Sequence, residues 1–439
     1  LSTSKNLIFS FSAQILNTIF AFITSIYVTR ILGVSGRGEY ALFMNSLNFF
    51  VLLYGFSINS TITYFINTLK VKQDKLFSSL VFIVFVSTAL LAATIGLLYM
   101  FNLTEHVVPK SAKVDYYLAL MLLLFITNIV SGIVTSLFVT YKYFKINSLI
   151  IVAFVVLPLI FYVIYYHFIP PINADFSLLF VLSVTTITAI LSIITYVVIL
   201  GNKISLTFSS SLYHPEMLRE VIKFTGMAYL ANVAQFLTYR LDIWVVNKYC
   251  GSSDLGIYSL AVQFSQMLWI IPSSIGGVIY SQVSHLERTE KLPNKLLSII
   301  PIVFYVTLSC ALFGSLLVYY LLPILYGEQF APTYIPMLIL LVGSVLLSYA
   351  TIITNINAGR GSFKHNYQGS VAGLTLSLPL YPILISHFGI IGGACASTLI
   401  YTFQTIFYTT LFCKHEDVHL LKIFKFNIRE TYTSVKSEL

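Results

Sequence analysis

The chain has 439 residues, of which 57% are hydrophobic and only 9% charged, with a formal net charge of +9 and a mean hydropathy of +0.87. A soluble domain carries roughly 25% charged residues, so this composition excludes a water-soluble protein, and in a membrane protein the cationic excess does not call for nucleic acid. The apolar runs match helices crossing about 30 Å of hydrocarbon rather than the ten-residue alternating strands of outer-membrane barrels.

Twelve spans are predicted, at 6–29, 39–65, 77–101, 115–141, 147–168, 176–200, 221–247, 255–281, 295–321, 333–356, 367–386 and 389–413. The expected fold is all-α and polytopic, with about twelve transmembrane helices in two pseudo-symmetric six-helix bundles around a central cavity. Polar Ser12, Gln14 and Asn17 interrupt the first apolar run and no small-residue cleavage site follows, so a retained helix is expected rather than a signal peptide. Between the first two spans lies RILGVSGRGEY, residues 30–40. Its Gly33, Gly36 and Gly38 suit a tight turn, and Glu39 suits the positive end of the second helix.

The domains expected are an N-terminal bundle over 1–200, a cytoplasmic interfacial linker over 201–220, a C-terminal bundle over 221–413 and a basic cytoplasmic tail over 414–439. In the tail, EDVHLLKIFKFNIRE reads either as an interfacial amphipathic helix or as a solvated basic segment. With the N-terminus inside, nineteen of the 25 basic residues fall on the cytoplasmic side and five outside. That bias predicts two cytoplasmic termini.

The two halves repeat. A gapless shift of 218 residues lays 5–42 onto 223–260, pairing Lys5 with Lys223, Gly33 with Gly251, Ser35 with Ser253, Gly38 with Gly256, Tyr40 with Tyr258 and Leu42 with Leu260. Six spans per half keep both copies in one orientation, as in transporters built from parallel repeats.

The same shift aligns polar side chains. Gln14 and Asn17 of span 1 meet Asn232 and Gln235 of span 7, and Asn45 and Asn48 of span 2 meet Gln263 and Gln266 of span 8. Pairs three residues apart share a helical face, so spans 1, 2, 7 and 8 are expected to line a polar cavity. The competing reading is that such amides join transmembrane helices, at about 0.6–2 kcal/mol each. Tyr239 and Asp242 extend the stripe on span 7, and Gly55 and Asn59 extend it on span 2. Intramembrane charges usually serve a pathway or a partner, which marks Arg240 and Asp242; an ideal helix sets them about 200° apart. Asp242 is the candidate for ion coupling. Arg30 and Arg37 are candidates for the exit side of a path, against the plainer alternative of a solvated turn.

Other chemistry is poorly supplied. Cys250, Cys310, Cys395 and Cys413 are scattered without metal or disulfide spacing. NAGRGSFKH at 357–365 lacks the Lys and hydroxyl placement of a phosphate loop. No His–acid constellation or large external loop offers a reaction site. No catalytic residue, cofactor or metal is expected, and the chain is not read as an enzyme.

GRGEYALF at 36–43, RLDIWVVNKYCGSSDLGIYSLAVQFSQ at 240–266, LYGEQFAP at 325–332, NAGRGSFKHNY at 357–367 and FGIIGGACAS at 388–397 together resemble the Wzx-type oligosaccharide flippases. These belong to the multidrug, oligosaccharidyl-lipid and polysaccharide (MOP) exporter superfamily, and the likeness runs over nearly the whole chain. The resemblance implies a bacterial inner-membrane protein that flips undecaprenyl-pyrophosphate-linked repeat units outward for O-antigen or capsule synthesis. It implies that the substrate, membrane lipids and the glycan polymerase machinery are the partners, and that Arg30, Arg37 and Arg240 meet the pyrophosphate. A drug exporter of the same superfamily is the alternative; the amides in span 1, where that branch has carboxylates, weigh against it. A glycan polymerase or ligase ranks below both.

Overall fold

The computed structural model describes residues 3–56, 62, 65–66, 72–111, 113–169, 174–203, 209, 211, 215–286 and 292–416. Asn59, residues 204–208, 210 and 212–214 of the predicted 201–220 linker, and the tail beyond Glu416 lie outside them. Ten long α-helices are set out among the described residues, here named α1 (Thr3–Tyr54), α2 (Gln73–Met100), α3 (Val114–Thr140), α4 (Phe144–Phe168), α5 (Ala174–Gly201), α6 (Pro215–Met267), α7 (Ile270–Ser284), α8 (Asn294–Tyr326), α9 (Tyr334–Gly359) and α10 (Phe363–Glu416). No strand occurs among the described residues, as expected where lipid cannot satisfy open backbone edges.

Among the described residues, eight helices are long and apolar enough to span a membrane, or nine when α6 and α7, bent by 41° at a short break, count as one span. Three of these are two helices joined at one glycine: Gly33 in α1 (φ 65, ψ −170), Gly251 in α6 (φ 83, ψ 178) and Gly389 in α10 (φ 57, ψ −140). Divided there, the spans give twelve membrane-length arms among the described residues. Gly33 and Gly251 are partners in the 218-residue repeat, so the repeat is expressed in backbone geometry as well as sequence. The turn predicted over 30–38 is compressed into Gly33 alone. That dihedral region is essentially reserved for glycine. Gly36 and Gly38 are helical and buried; a Cβ on Gly36 would come within 3.2 Å of Leu32 Cβ, so its smallness serves packing. Glu39 then sits more than a turn inside the second arm rather than at its first turn, because that arm starts directly after Gly33.

Two compact units are formed, Leu1–Tyr229 and Leu230–Leu439, the boundary falling inside α6. In the first unit, α1 packs on α4 and α5, and α3 packs on α5 and α2. Its core is aliphatic and aromatic: Phe43, Leu47, Leu91, Met121, Phe125 and Leu178 are among its fully buried members. Hydroxyls in these helices are largely absorbed locally. Thr24, Thr88, Thr185 and Thr186 each donate to the carbonyl one turn back, at 2.7–2.8 Å, which hides their polarity from lipid. In the second unit, α9 packs against α10, α7 and α8. Gly369 and Gly373 on α10 face Tyr408 and Gln404 so closely that a Cβ at either would overlap them. This is the small-residue contact that lets transmembrane helices approach.

Candidate functional site

In the first unit the predicted polar residues separate into two kinds. Gln14, Arg30 and Asn48 are exposed, Asn17 is half-buried, and Asn45 and Arg37 are buried. Arg30 is oriented by α4: its Nη1 donates to Tyr166 Oη at 3.1 Å, and its guanidinium lies 5.8 Å from the centre of that ring. Tyr27, one turn back on α1, packs edge-on against the same tyrosine. Arg37, only 7% exposed, lies over Tyr40 at 5.7 Å. One arginine is therefore presented to its surroundings while the other is part of the packing.

The second unit treats the matching positions differently. Asn232 is exposed, but Gln235, one turn on, is drawn into the bundle. Its Oε1 accepts from Ser370 Oγ at 2.7 Å and from Gln404 Nε2 and Tyr408 Oη at 3.4 Å each. The single Tyr408 O–H also has the Asn366 carbonyl within reach at 3.2 Å as an alternative acceptor, and Asn366 Nδ2 donates to the Thr354 carbonyl at 2.9 Å. Gln263 and Gln266 are half-buried. Arg240 Nη2 donates to Gln266 Oε1 at 2.5 Å, which ties the two arms of α6 across Gly251. The amide of Gln266 then points away, and its Nε2 and the nearby Trp269 Nε1 are buried donors with no partner among the described residues. Trp269, Tyr239 and Tyr401 pack ring against ring, 5.0–6.0 Å apart.

Asp242 is 1% exposed. Tyr258 Oη donates to its Oδ2 at 2.7 Å, and the Ile243 N–H donates to its Oδ1 at 2.8 Å. Asp242 thus lies inside its own unit, while Arg240, two residues earlier, turns to Gln266, as the helical angle between them requires. Sequence reading missed Tyr258, Ser370, Tyr381, Ser397, Gln404 and Tyr408 as polar partners. One signal was present for Tyr258, its repeat pairing with Tyr40; the others are single hydroxyls or amides inside apolar runs.

The family profile described as "Polysaccharide biosynthesis protein" matches residues 3–287. The chain belongs to that family. A protein of Shigella flexneri named "Putative O-antigen transporter" is 22% identical over 172 residues, covering 39% of this chain and 41% of that protein; the matched region thus spans less than half of that relative. Among solved structures, "Lipid II flippase MurJ, inward closed conformation" matches with TM-score 0.72 at 13% identity, covering 99% of this chain and 93% of that one. "Inward-facing conformation of a multidrug resistance MATE family transporter of the MOP superfamily" matches with TM-score 0.72 at 14% identity, covering 94% and 99%. At those identities the likeness establishes a shared fold alone. Family and helices together make this member of the polysaccharide-biosynthesis family a multi-pass membrane protein.

Proposed function

We propose that the chain is a flippase moving undecaprenyl-pyrophosphate-linked oligosaccharide repeat units from the cytoplasmic to the outer leaflet by alternating access, supplying a glycan polymerase. It works in the bacterial inner membrane with both termini cytoplasmic. The observation that carries this reading is the family match over residues 3–287, joined to exposed amides on α1 and α6. Burying a sugar hydroxyl without a partner costs several kcal/mol, so a glycan needs replacement hydrogen bonds across the membrane. Gln14, Asn48 and Asn232 supply such groups while the polyprenyl tail stays in lipid. Arg30, presented by Tyr166, attracts the anionic diphosphate, and an inside-negative potential favours its outward passage by about 2.3 kcal/mol per charge per 100 mV. Asp242 is the group assigned to ion coupling.

Deletion of the gene should trap lipid-linked repeat units on the inner leaflet and abolish the surface polysaccharide, and the cloned chain should restore it. Normal polysaccharide in the deletion strain, with increased drug sensitivity, would overturn the reading in favour of drug export. In the complemented strain, Arg30→Gln should slow export while shifting thermal stability in detergent by less than about 0.5 kcal/mol, as surface changes do. Arg37→Gln should instead destabilise the protein by about 1–3 kcal/mol, the penalty for disturbing a buried polar group. Equal stability losses in the two variants would remove Arg30 from the path.

A further inference from the structure

Asp242 is buried to 1% exposure, and its surroundings form a closed ring. Tyr258 Oη donates to Asp242 Oδ2 at 2.7 Å and lies 3.4 Å from Ser397 Oγ. Ser397 Oγ is 3.1 Å from Tyr381 Oη, which donates to the Thr238 carbonyl at 3.0 Å. Thr238 is one turn before Asp242 on α6, so the ring returns to the helix on which it began. Thr238, Tyr258, Tyr381 and Ser397 are all fully buried. The titratable and charged groups facing the carboxylate are Tyr258 from the second arm of α6, Tyr381 and Tyr401 from α10, and Arg240 on its own helix. Arg240 is turned to Gln266, and no cation touches Asp242 within salt-bridge distance among the described residues.

Burying an unpaired charge is expensive, and binding one proton removes it. The ring accepts that proton without moving a heavy atom. In the charged state Tyr258 donates to the carboxylate and Tyr381 to the Thr238 carbonyl. After protonation the Asp242 O–H donates to the Tyr258 oxygen, Tyr258 turns to Ser397, Ser397 donates to Tyr381, and Tyr381 keeps the carbonyl. Each O–H has an acceptor in both states. A metal cation fares worse, because hard cations are held by several oxygen lone pairs. Here each carboxylate oxygen already accepts one hydrogen bond, and the hydroxyls around it pair with one another and with the Thr238 carbonyl, so few lone pairs are left for the several a cation needs. The repeat adds an independent point. The position matching Asp242 in the first unit is Thr24, whose hydroxyl is satisfied by the Phe20 carbonyl at 2.8 Å; the fold of the repeat does not need a carboxylate there.

We infer that Asp242, Tyr258, Ser397, Tyr381 and the Thr238 carbonyl form a proton-binding site in the second unit, selective for a proton over sodium, whose loading is coupled to transport. The coupling rests on the flippase reading; the binding of the proton does not. The full chain in lipid nanodiscs is titrated with acid while the infrared carbonyl band of protonated carboxyl groups is recorded, in sodium and in potassium. A band should grow on acidification, be missing from Asp242→Asn, shift in frequency in Tyr258→Phe, and be the same in both salts. A band retained in Asp242→Asn, or a Tyr258→Phe spectrum identical to the wild type, overturns the site. Suppression by sodium overturns the selectivity. In the deletion strain, Asp242→Asn should lower surface polysaccharide on the order of tenfold; full restoration overturns the coupling while the infrared result stands. Failure of the wild-type chain to restore any polysaccharide overturns the flippase reading and leaves the proton site intact.

Discussion

Replacing Glu416 with alanine is expected to destabilise the second unit by about 3–5 kcal/mol, the penalty for stranding one member of a buried ion pair. Glu416 closes α10, and its Oε2 lies 3.1 Å from Nη2 of Arg360, the residue that follows α9; the two side chains are 8% and 7% exposed. Arg360 also ends α9 through its own N–H, which donates to the Ile356 carbonyl at 3.0 Å. The pair therefore fastens the ends of two helices that pack against each other. His415 Nδ1, 3.3 Å from Glu416 Oε1, is half exposed and cannot replace the arginine's partner. Substituting both residues by apolar ones, Arg360→Met with Glu416→Leu, should recover most of the loss, because buried pairs are often matched by well-packed hydrophobic side chains. Thermal unfolding of the detergent-solubilised variants decides. Equal losses in the single and double variants would show that the ion pair is not what holds these ends together.

The architecture was largely legible because membrane helices leave a coarse signal. Long apolar runs announce spans whatever their packing, and a 218-residue shift that pairs Gly33 with Gly251 fixes two backbone breaks at once. Finer features were not legible. RILGVSGRGEY reads as a loop because glycines and charges usually mark one, yet the helix resumes immediately after Gly33. Local composition does not say that a single residue with positive φ suffices to break one helix into two. The site divides in a similar way. Amides three residues apart were expected to share a face, but Gln235 turns to Ser370, Gln404 and Tyr408 while Asn232 stays exposed. Which of two neighbouring amides is captured depends on hydroxyls more than a hundred residues away, and those sit singly in apolar runs that carry no pattern. The same reason hid the ring around Asp242, whose partners Tyr381 and Ser397 come from both arms of α10.

Replacing Gln14, Asn48 and Asn232 together with leucine is expected to reduce export on the order of 100-fold with the protein still folded. Each of these amides is exposed on its own unit, so none holds that unit's helices together. If each supplies one hydrogen bond to a glycan hydroxyl, worth about 1 kcal/mol, the combined loss of about 3 kcal/mol in the barrier corresponds to roughly two powers of ten in rate. Gln235→Leu is the contrasting substitution. It removes the acceptor shared by Ser370, Gln404 and Tyr408, and should lower stability by about 1–3 kcal/mol before any effect on transport is read. Export is followed as restoration of surface polysaccharide in the deletion strain, and folding as the thermal transition of the purified protein. If the triple variant loses stability as Gln235→Leu does, the exposed amides are helix contacts after all. If it exports at the wild-type rate with an unchanged transition, the glycan's hydrogen bonds are met elsewhere, and these three amides do not serve its path.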